Sequence, residues 1–338
     1  MTNKCKHNSC RENAINLSEF CWKHTEDKNA YREALAQYIK TKNSVSGFYL
    51  KGVDLAGFDF IDTDCRSADF TTCSLIGANF SGADMRHCNL THADSRNAYL
   101  DNADLSEANL LSCNLSGARL WHANMTKANL AEANLSGADL FCANLSLVKL
   151  WNADITGAKL LTKHNFGHKK GRIFFKYAID EKGYISAEEG YRKLKQYFSC
   201  LGRYDDASWA SFKERQMQRQ QLLHKRNIAY IPSLFMALIC GYGEKPVRVV
   251  LFSAAVIFTY AALYNITEAV VIPSRLMDTA TIWDYLYFSV VTFTTLGFGD
   301  ITPKPVPFLQ LLTGTEAFLG AFMIGMFVFS LGKKYSAR

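Results

Sequence analysis

Apolar residues are distributed unevenly along this chain of 338 residues. Residues 1–230 are mainly polar and rich in Asn and Asp, whereas almost every long apolar run lies after Pro246. The overall hydrophobic content of 49% therefore averages over two different parts. We expect two or three domains, of which the last lies in a membrane. No apolar stretch opens the chain, which predicts a cytoplasmic N-terminus without a cleaved secretory signal.

A five-residue period fills the middle of the chain. A large residue recurs at every fifth position from Leu50 to Leu160, apart from Cys65 and Ser95. The position two residues earlier is small: between residues 68 and 158 it is Ala fifteen times, Cys three times and Val once. This period matches neither the helical repeat of about 3.6 residues nor the alternation of a strand. It indicates a solenoid that turns a corner every five residues and buries one large and one small side chain per side.

These repeats, in units such as ANLAEANLSGADLF, resemble the pentapeptide-repeat family. The resemblance implies a right-handed quadrilateral β-helix with four repeats per coil, so that 23 repeats form between five and six coils. It also implies that Cys73, Cys88 and Cys113 are core residues. Some members are acidic DNA mimics that bind topoisomerase, but residues 48–160 carry 13 acidic and 8 basic residues, a net charge of only −5. We therefore expect a rigid spacer or assembly surface, and no nucleic-acid partner.

Candidate metal ligands lie close together at the N-terminus. Cys5 and Cys10, then Cys21 and His24, form two closely spaced pairs, and His7 is a competing ligand. Cysteines are reduced in the cytoplasm, and such pairs are typical of zinc sites. Three thiolates and one imidazole would fill the tetrahedral coordination of Zn²⁺, so the predicted site is structural rather than catalytic. The alternative is that these residues are neighbours by chance.

Helical patterns flank the repeats. An amphipathic helix predicted over residues 29–42 covers the open end of the solenoid. Its apolar face consists of Tyr31, Leu35, Tyr38 and Ile39. Residues 183–225 predict two helices, one ending near Gly202 and one starting at Asp205, and the pair resembles a tetratricopeptide-like hairpin. Basic residues along the second helix would either bind anionic lipid headgroups or face solvent: Lys213, Arg215, Arg219, Lys225 and Arg226.

The apolar part of the chain predicts two membrane-spanning helices, over residues 249–266 and 308–331. Lys245 and Arg248 precede the first helix, and Lys333 and Lys334 follow the second. Because cytoplasmic flanks are rich in Lys and Arg, both termini are expected on the cytoplasmic side of the cell's inner (plasma) membrane. No helix carries basic residues at every third position, so no voltage sensor is expected.

The segment between the two helices carries the strongest functional signal. Residues 283–294 are too short to span a membrane, and the motif TTLGFGD follows them. A cation sheds its water only where oxygens replace the hydration shell, and the backbone carbonyls of such a segment can do so. Gly297 and Gly299 permit the backbone angles that turn successive carbonyls inward. Irregular backbone at membrane depth must be buried by protein, which predicts that four chains meet around one axis.

These residues resemble the two-span potassium channel family, over about ninety residues. The resemblance implies a filter that binds K⁺, with Asp300 at its outer mouth. The filter residues are Thr295, Leu296, Gly297, Phe298 and Gly299. Phe298 stands where Tyr is commonest in the family, so a hydroxyl that anchors the filter is missing, and we expect selectivity to persist in a weaker form.

Two further positions in the second membrane helix are candidates for function. The resemblance places a gating hinge at Gly320, one residue from the usual spacing, with Gly325 as the alternative. Glu316 is unusual, because a carboxyl group inside a membrane is costly and commonly marks function. We expect it either to face the cavity or to form hydrogen bonds behind the pore helix.

The expected architecture is multi-domain: a quadrilateral β-helix and an α-helical two-span tetrameric pore. The predicted segments are a zinc module (1–28), a capping helix (29–47), the β-helix (48–162), a helical-hairpin connector (163–230) and the pore (231–338). We expect a homotetrameric potassium-selective channel whose N-terminal part assembles or regulates it, under an unidentified cytoplasmic ligand or protein. The alternatives are a non-selective cation channel, or a membrane-tethered scaffold with a silent pore. No catalytic residue set indicates an enzyme.

Overall fold

A computed structural model describes residues 4–7, 10–166, 181–272 and 280–336. The chain divides into two compact units, Met1–Gln221 and Leu222–Arg338. The finer division into five segments stays a prediction. Parts of those segments, residues 1–3, 8–9, 167–180, 273–279 and 337–338, lie outside the described residues.

The repeats form a parallel β-helix. Parallel bridges join residues that are twenty positions apart, from Ser44↔Asp64 to Asp139↔Lys159, so four repeats complete one coil. The bridges continue without a break past Cys65 and Ser95, and both side chains are buried. The inward cysteines are core residues, and burial raises the pKa of the Cys113 thiol to about 12. The sequence period therefore predicts the coil correctly.

A short N-terminal helix closes the first coil. After a 3-10 turn at Trp22–His24, helix α1 (Lys28–Lys42) begins where the Asp27 carboxylate accepts a hydrogen bond from the Ala30 N–H at 2.8 Å. Three of its four predicted apolar residues are buried against the repeats, and Tyr38 is half-buried beside Phe48. The helix thereby covers strand edges that would otherwise be open to association.

The last coil ends differently from the expected pattern. Leu160, the last large position of the repeat, is 56% exposed, and Leu161 is buried in its place. The cause is a 3-10 turn at Lys163–Phe166, which carries the chain out of the repeat. The buried side chain of Asn165 donates hydrogen bonds to the carbonyls of Leu140 (2.9 Å) and Ala143 (2.8 Å). The Ala143 carbonyl is one that a next coil would have paired, as Lys159 N–H pairs with the Ala138 carbonyl, whereas the Leu140 carbonyl also accepts from the Ala143 N–H within its own coil.

Two helices cover this second end of the β-helix. They are α2 (Glu181–Cys200) and α3 (Tyr204–His224), close to the predicted bounds. Tyr191, Leu194 and Phe198 of α2 are buried in the same core as the repeats. The Tyr197 hydroxyl also donates a hydrogen bond to the carbonyl of Ala158. The hairpin that was predicted as a connector therefore also caps the β-helix.

The second unit contains four helices within its described residues. They are α4 (Tyr230–Ile239), α5 (Pro246–Ile266), α6 (Ile282–Phe293) and α7 (Pro307–Ser336). Strands β1 (Val270–Val271) and β2 (Thr302–Pro303) pair in an antiparallel manner. Helices α5 and α7 are long and apolar enough to cross a membrane, and α5 begins at Pro246, three residues before the predicted span, so Arg248 lies in its first turn. Helix α4 is a structural feature that the sequence analysis does not predict.

Candidate functional site

The TTLGFGD segment follows the C-terminus of α6 directly. Thr295, Gly297 and Gly299 have positive φ angles of 57°, 56° and 78°. Every second residue is thus in the left-handed region, and such alternation lets backbone groups of successive residues converge on one side. For the β-branched Thr295 this conformation costs about 1–3 kcal/mol. The conformation persists because contacts with the surrounding structure fix the backbone. One of them is the hydrogen bond that the Leu296 N–H donates to the carbonyl of Val291 at 3.1 Å.

A side-chain hydrogen bond ties the far end of this segment to α6. The Tyr287 hydroxyl donates to the carboxylate of Asp300 at 2.8 Å. The sequence gives no indication that Tyr287 is a partner of Asp300. The spacing of thirteen residues gives no local signal, because the two side chains meet only after the chain has reversed direction. The Tyr287 hydroxyl thus anchors the end of this segment to α6.

Glu316 lies between helices and is completely buried. Its carboxyl group contacts the hydroxyl of Tyr264 on α5 at 2.6 Å. The hydroxyl of Ser289 on α6 is its second partner. Of the two expected placements, the structure has the one with hydrogen bonds, here to α5 and to α6, the helix that precedes the TTLGFGD segment.

The two candidate hinge glycines differ in their surroundings. A Cβ atom added to Gly320 would lie 1.8 Å from the carbonyl oxygen of Phe293, at the end of α6. At Gly325, nothing lies within 4 Å of such an atom. Gly320 is thus required for the close approach of α7 to α6. A substitution there would disturb this packing whether or not α7 bends at Gly320. The hinge assignment stays a prediction at either position.

The four predicted N-terminal ligands form one cluster. The ligand atoms of Cys5, Cys10, Cys21 and His24 all lie within 4.8 Å of one another. The sulfurs of Cys10 and Cys21 are 3.9 Å apart, and His24 Nδ1 is 3.3 Å from the Cys21 sulfur. With metal–sulfur bonds of about 2.3 Å, a tetrahedral ion separates its sulfur ligands by roughly 3.8 Å, so the cluster fits a metal ion. His7 stacks on the His24 ring at 3.9 Å.

The acidity of one thiol also suits a metal site. Burial alone would raise the pKa of Cys5, but backbone hydrogen bonds at Cys21 and His7 outweigh it and lower this pKa to about 6. Because metals bind thiolates rather than thiols, a lowered pKa makes the ligand available at neutral pH.

The loop between α4 and α5 contacts the last turns of α7. The Ser330 hydroxyl donates to the Gly243 carbonyl at 3.0 Å. Lys333 donates to the Tyr242 carbonyl at 2.8 Å and pairs with Glu244 at 2.8 Å. Gly243 has a φ of 86°, and a Cβ atom there would lie 2.9 Å from the Lys333 side chain. This position thus requires glycine for both reasons, and the loop and the helix end are fitted to each other.

Family models match both parts of the chain. The model described as Ion channel matches residues 247–337, which include α5, α6, the TTLGFGD segment and α7. The model of Pentapeptide repeats matches in eight copies, over residues 49–86, 78–110, 113–152 and 123–160. The chain joins pentapeptide repeats to an ion channel domain.

Solved structures similar to this chain resemble its pentapeptide repeats. A pentapeptide repeat protein from the Arabidopsis thaliana thylakoid lumen is 32% identical, with 30% of this chain and 68% of that chain covered and a TM-score of 0.24. One from the cyanobacterium Cyanothece is 25% identical (36% and 94% covered, TM-score 0.24). One from Nostoc is 26% identical (32% and 80% covered, TM-score 0.25). No curated protein matches the chain significantly.

The Tyr287–Asp300 bond generates a prediction about the ion channel domain. We expect Tyr287→Phe to shorten the lifetime of the conducting state about threefold to tenfold, because the TTLGFGD segment loses one hydrogen bond to a charged acceptor. The decay of the macroscopic current, recorded from many channels at once, measures this lifetime.

Tyr285→Phe is the matched control, since Tyr285 lies on the same helix and is buried away from Asp300. Equal current decay in the two variants would show that the hydrogen bond does not hold the TTLGFGD segment.

Proposed function

We propose that the chain is a subunit of a homotetrameric potassium channel. The observation that carries the proposal is the alternating backbone of residues 295–299, placed after a pore helix and between two membrane-length helices. One chain can supply one column of filter oxygens, from Thr295, Leu296, Gly297, Phe298 and Gly299. Several columns are needed to replace the hydration shell of K⁺, which is why four subunits would surround the ion. Asp300 then lies at the outer mouth and adds negative charge where cations arrive.

The surface of the ion channel domain supports a location in the membrane. Large apolar side chains on α5 and α7 are exposed in the single chain, including Leu251, Phe258 and Phe318. Exposed apolar surface of this extent suits lipid or neighbouring subunits. The basic residues at the start of α5 and the end of α7 favour an orientation in the cell's inner membrane with both termini in the cytoplasm.

A non-selective cation channel is the second candidate. It is favoured by Phe298, whose side chain is 66% exposed in the single chain and cannot donate the hydrogen bond of the more common tyrosine. A filter with fewer anchoring bonds would adapt to ions of different size.

Reversal potentials separate these candidates. We reconstitute purified protein in liposomes under opposed gradients of K⁺ and Na⁺. The current through it should reverse near the potassium equilibrium potential. Gly297→Ala should abolish this selectivity, because Gly297 has a φ of 56° that an alanine adopts only with strain. Gly314→Ala is the control, since it adds a methyl group in open space. A wild-type reversal potential near zero would establish the non-selective pore instead.

We also propose that the N-terminal cluster binds a structural Zn²⁺ ion. A segment of about twenty residues buries too little apolar surface to fold alone, so metal ligation would stabilise it. The segment contacts the repeats, because Asn16 accepts a hydrogen bond from the Tyr49 N–H at 2.6 Å. Zinc would therefore order the N-terminal segment where it contacts the first coil.

Cys21→Ser should lower the bound zinc from about one ion per chain to nearly none, because one of four ligands is lost. It should also expose residues near the N-terminus to protease. Metal content and limited proteolysis of the full chain measure the two effects. Cys142→Ser, at an exposed cysteine of the repeats, is the control and should keep the zinc. Full metal content in Cys21→Ser would disprove the site.

We propose further that the N-terminal part, acted on by a cytoplasmic ligand or protein, biases the gate. Only five residues separate α3, which ends at His224, from α4, which begins at Tyr230. The loop after α4 holds the end of α7 through Ser330 and Lys333. A force on α4 would thus reach the helix that lines the pore.

Removing this contact should uncouple the two parts. In the double variant Ser330→Ala/Lys333→Ala, we expect open probability to change about threefold to tenfold, as the loss of two hydrogen bonds predicts. Deleting residues 1–180 should change open probability in the wild type and have little further effect in this variant. Lys334→Ala is the control. Additive effects, or a loss of ion selectivity on deletion, would contradict the proposed route.

A further inference from the structure

The carboxyl group of Glu316 joins the three long helices of the ion channel domain. Glu316 on α7 contacts Tyr264 on α5 and Ser289 on α6. Ser289 Oγ also lies 2.9 Å from the carbonyl oxygen of Ile257 on α5. Within the described part of the chain, the partners of this carboxyl group are hydroxyl groups rather than a cation.

The protons available in this network indicate the charge of the carboxyl group. Ser289 has a single hydroxyl proton. If Glu316 were ionised, that proton would face two acceptors, the carboxylate and the Ile257 carbonyl, and one would stay unpaired. A buried anion without a cationic partner is also costly. If Glu316 is protonated, every contact has one donor: Tyr264 donates to Glu316, Glu316 donates to Ser289, and Ser289 donates to Ile257.

We infer that Glu316 is a neutral carboxylic acid that positions the pore helix behind the filter. Glu316 and Gly320 are one turn apart on α7, and their contacts, Ser289 and Phe293, are one turn apart on α6. Two contacts with this spacing fix both the rotation and the depth of α6. The filter begins only two residues after Phe293, so a displaced pore helix would displace the filter carbonyls.

This inference deepens the proposed function, on which its selectivity measurement rests. The decisive variant is Glu316→Gln, because a carboxamide donates and accepts hydrogen bonds at the same two places as a neutral acid. We expect Glu316→Gln to keep the K⁺/Na⁺ permeability ratio within about twofold of the wild type. Ser289→Ala and Glu316→Ala should each lower this ratio about tenfold, by loss of hydrogen bonds in a buried network.

Tyr260→Phe is the matched control. Tyr260 lies one turn from Tyr264 on α5, and its hydroxyl contacts Thr315, the neighbour of Glu316, at 3.1 Å but in an exposed position. If Glu316→Ala fails to assemble, Tyr264→Phe and Ser289→Ala take its place in the comparison. Each of these variants removes one hydroxyl group from the network. If these variants behave like Tyr260→Phe, the positioning role is refuted. If Glu316→Gln is as damaging as Ser289→Ala, the neutral acid is refuted.

Infrared spectroscopy tests the protonation without ion flow. The difference spectrum between the wild type and Glu316→Gln should contain the carbonyl band of a protonated carboxylic acid, at neutral pH. Carboxylate bands in its place would overturn the inference even for a selective channel. A protonated band together with a reversal potential near zero would instead contradict potassium selectivity and leave the neutral acid supported. The two proposals can thus fail separately.

Discussion

The backbone of residues 295–299 must hold a conformation that it would not adopt alone, and the ion channel domain is organised around this requirement. Three residues in the left-handed region include a threonine, which has no intrinsic preference for it. The surrounding contacts come from different helices: Tyr287 holds the far end at Asp300, while Glu316 and Gly320 hold α6 from behind. In the proposed filter, such contacts would keep the backbone oxygens at fixed distances from an ion.

The pentapeptide repeats follow a simpler rule. Each coil repeats the hydrogen bonds of the one before it, so the interior needs no long-range information, and only the ends need separate solutions. At the first end α1 covers the core with Leu35. At the second, Asn165 satisfies the open carbonyl of Ala143 and α2 covers the core with Phe198. The N-terminal helix and the helical hairpin thereby share one hydrophobic core with the repeats.

Features that repeat or that depend on local chemistry could be predicted from the sequence. The five-residue period predicts the coil, and the apolar runs predict α5, α6 and α7, because each depends on neighbouring residues alone. The placement of Leu160 was wrong, since the repeat pattern carries no information on where the next turn takes over. The partners Tyr287 and Ser289 were missed because hydroxyl pairs far apart in the sequence follow no spacing rule. Helix α4 was missed because its ten residues are too few for a membrane-spanning helix.

The regular coil of the β-helix makes its length and its direction separately adjustable. Because bridged residues are twenty positions apart, inserting twenty residues would lengthen the rod by one strand spacing, about 4.8 Å, and leave both caps facing as before. Inserting five residues would instead turn everything beyond the insertion by a quarter of a revolution. Evolution could therefore change how far this rod reaches in steps of whole coils, and where its far cap points in steps of single repeats.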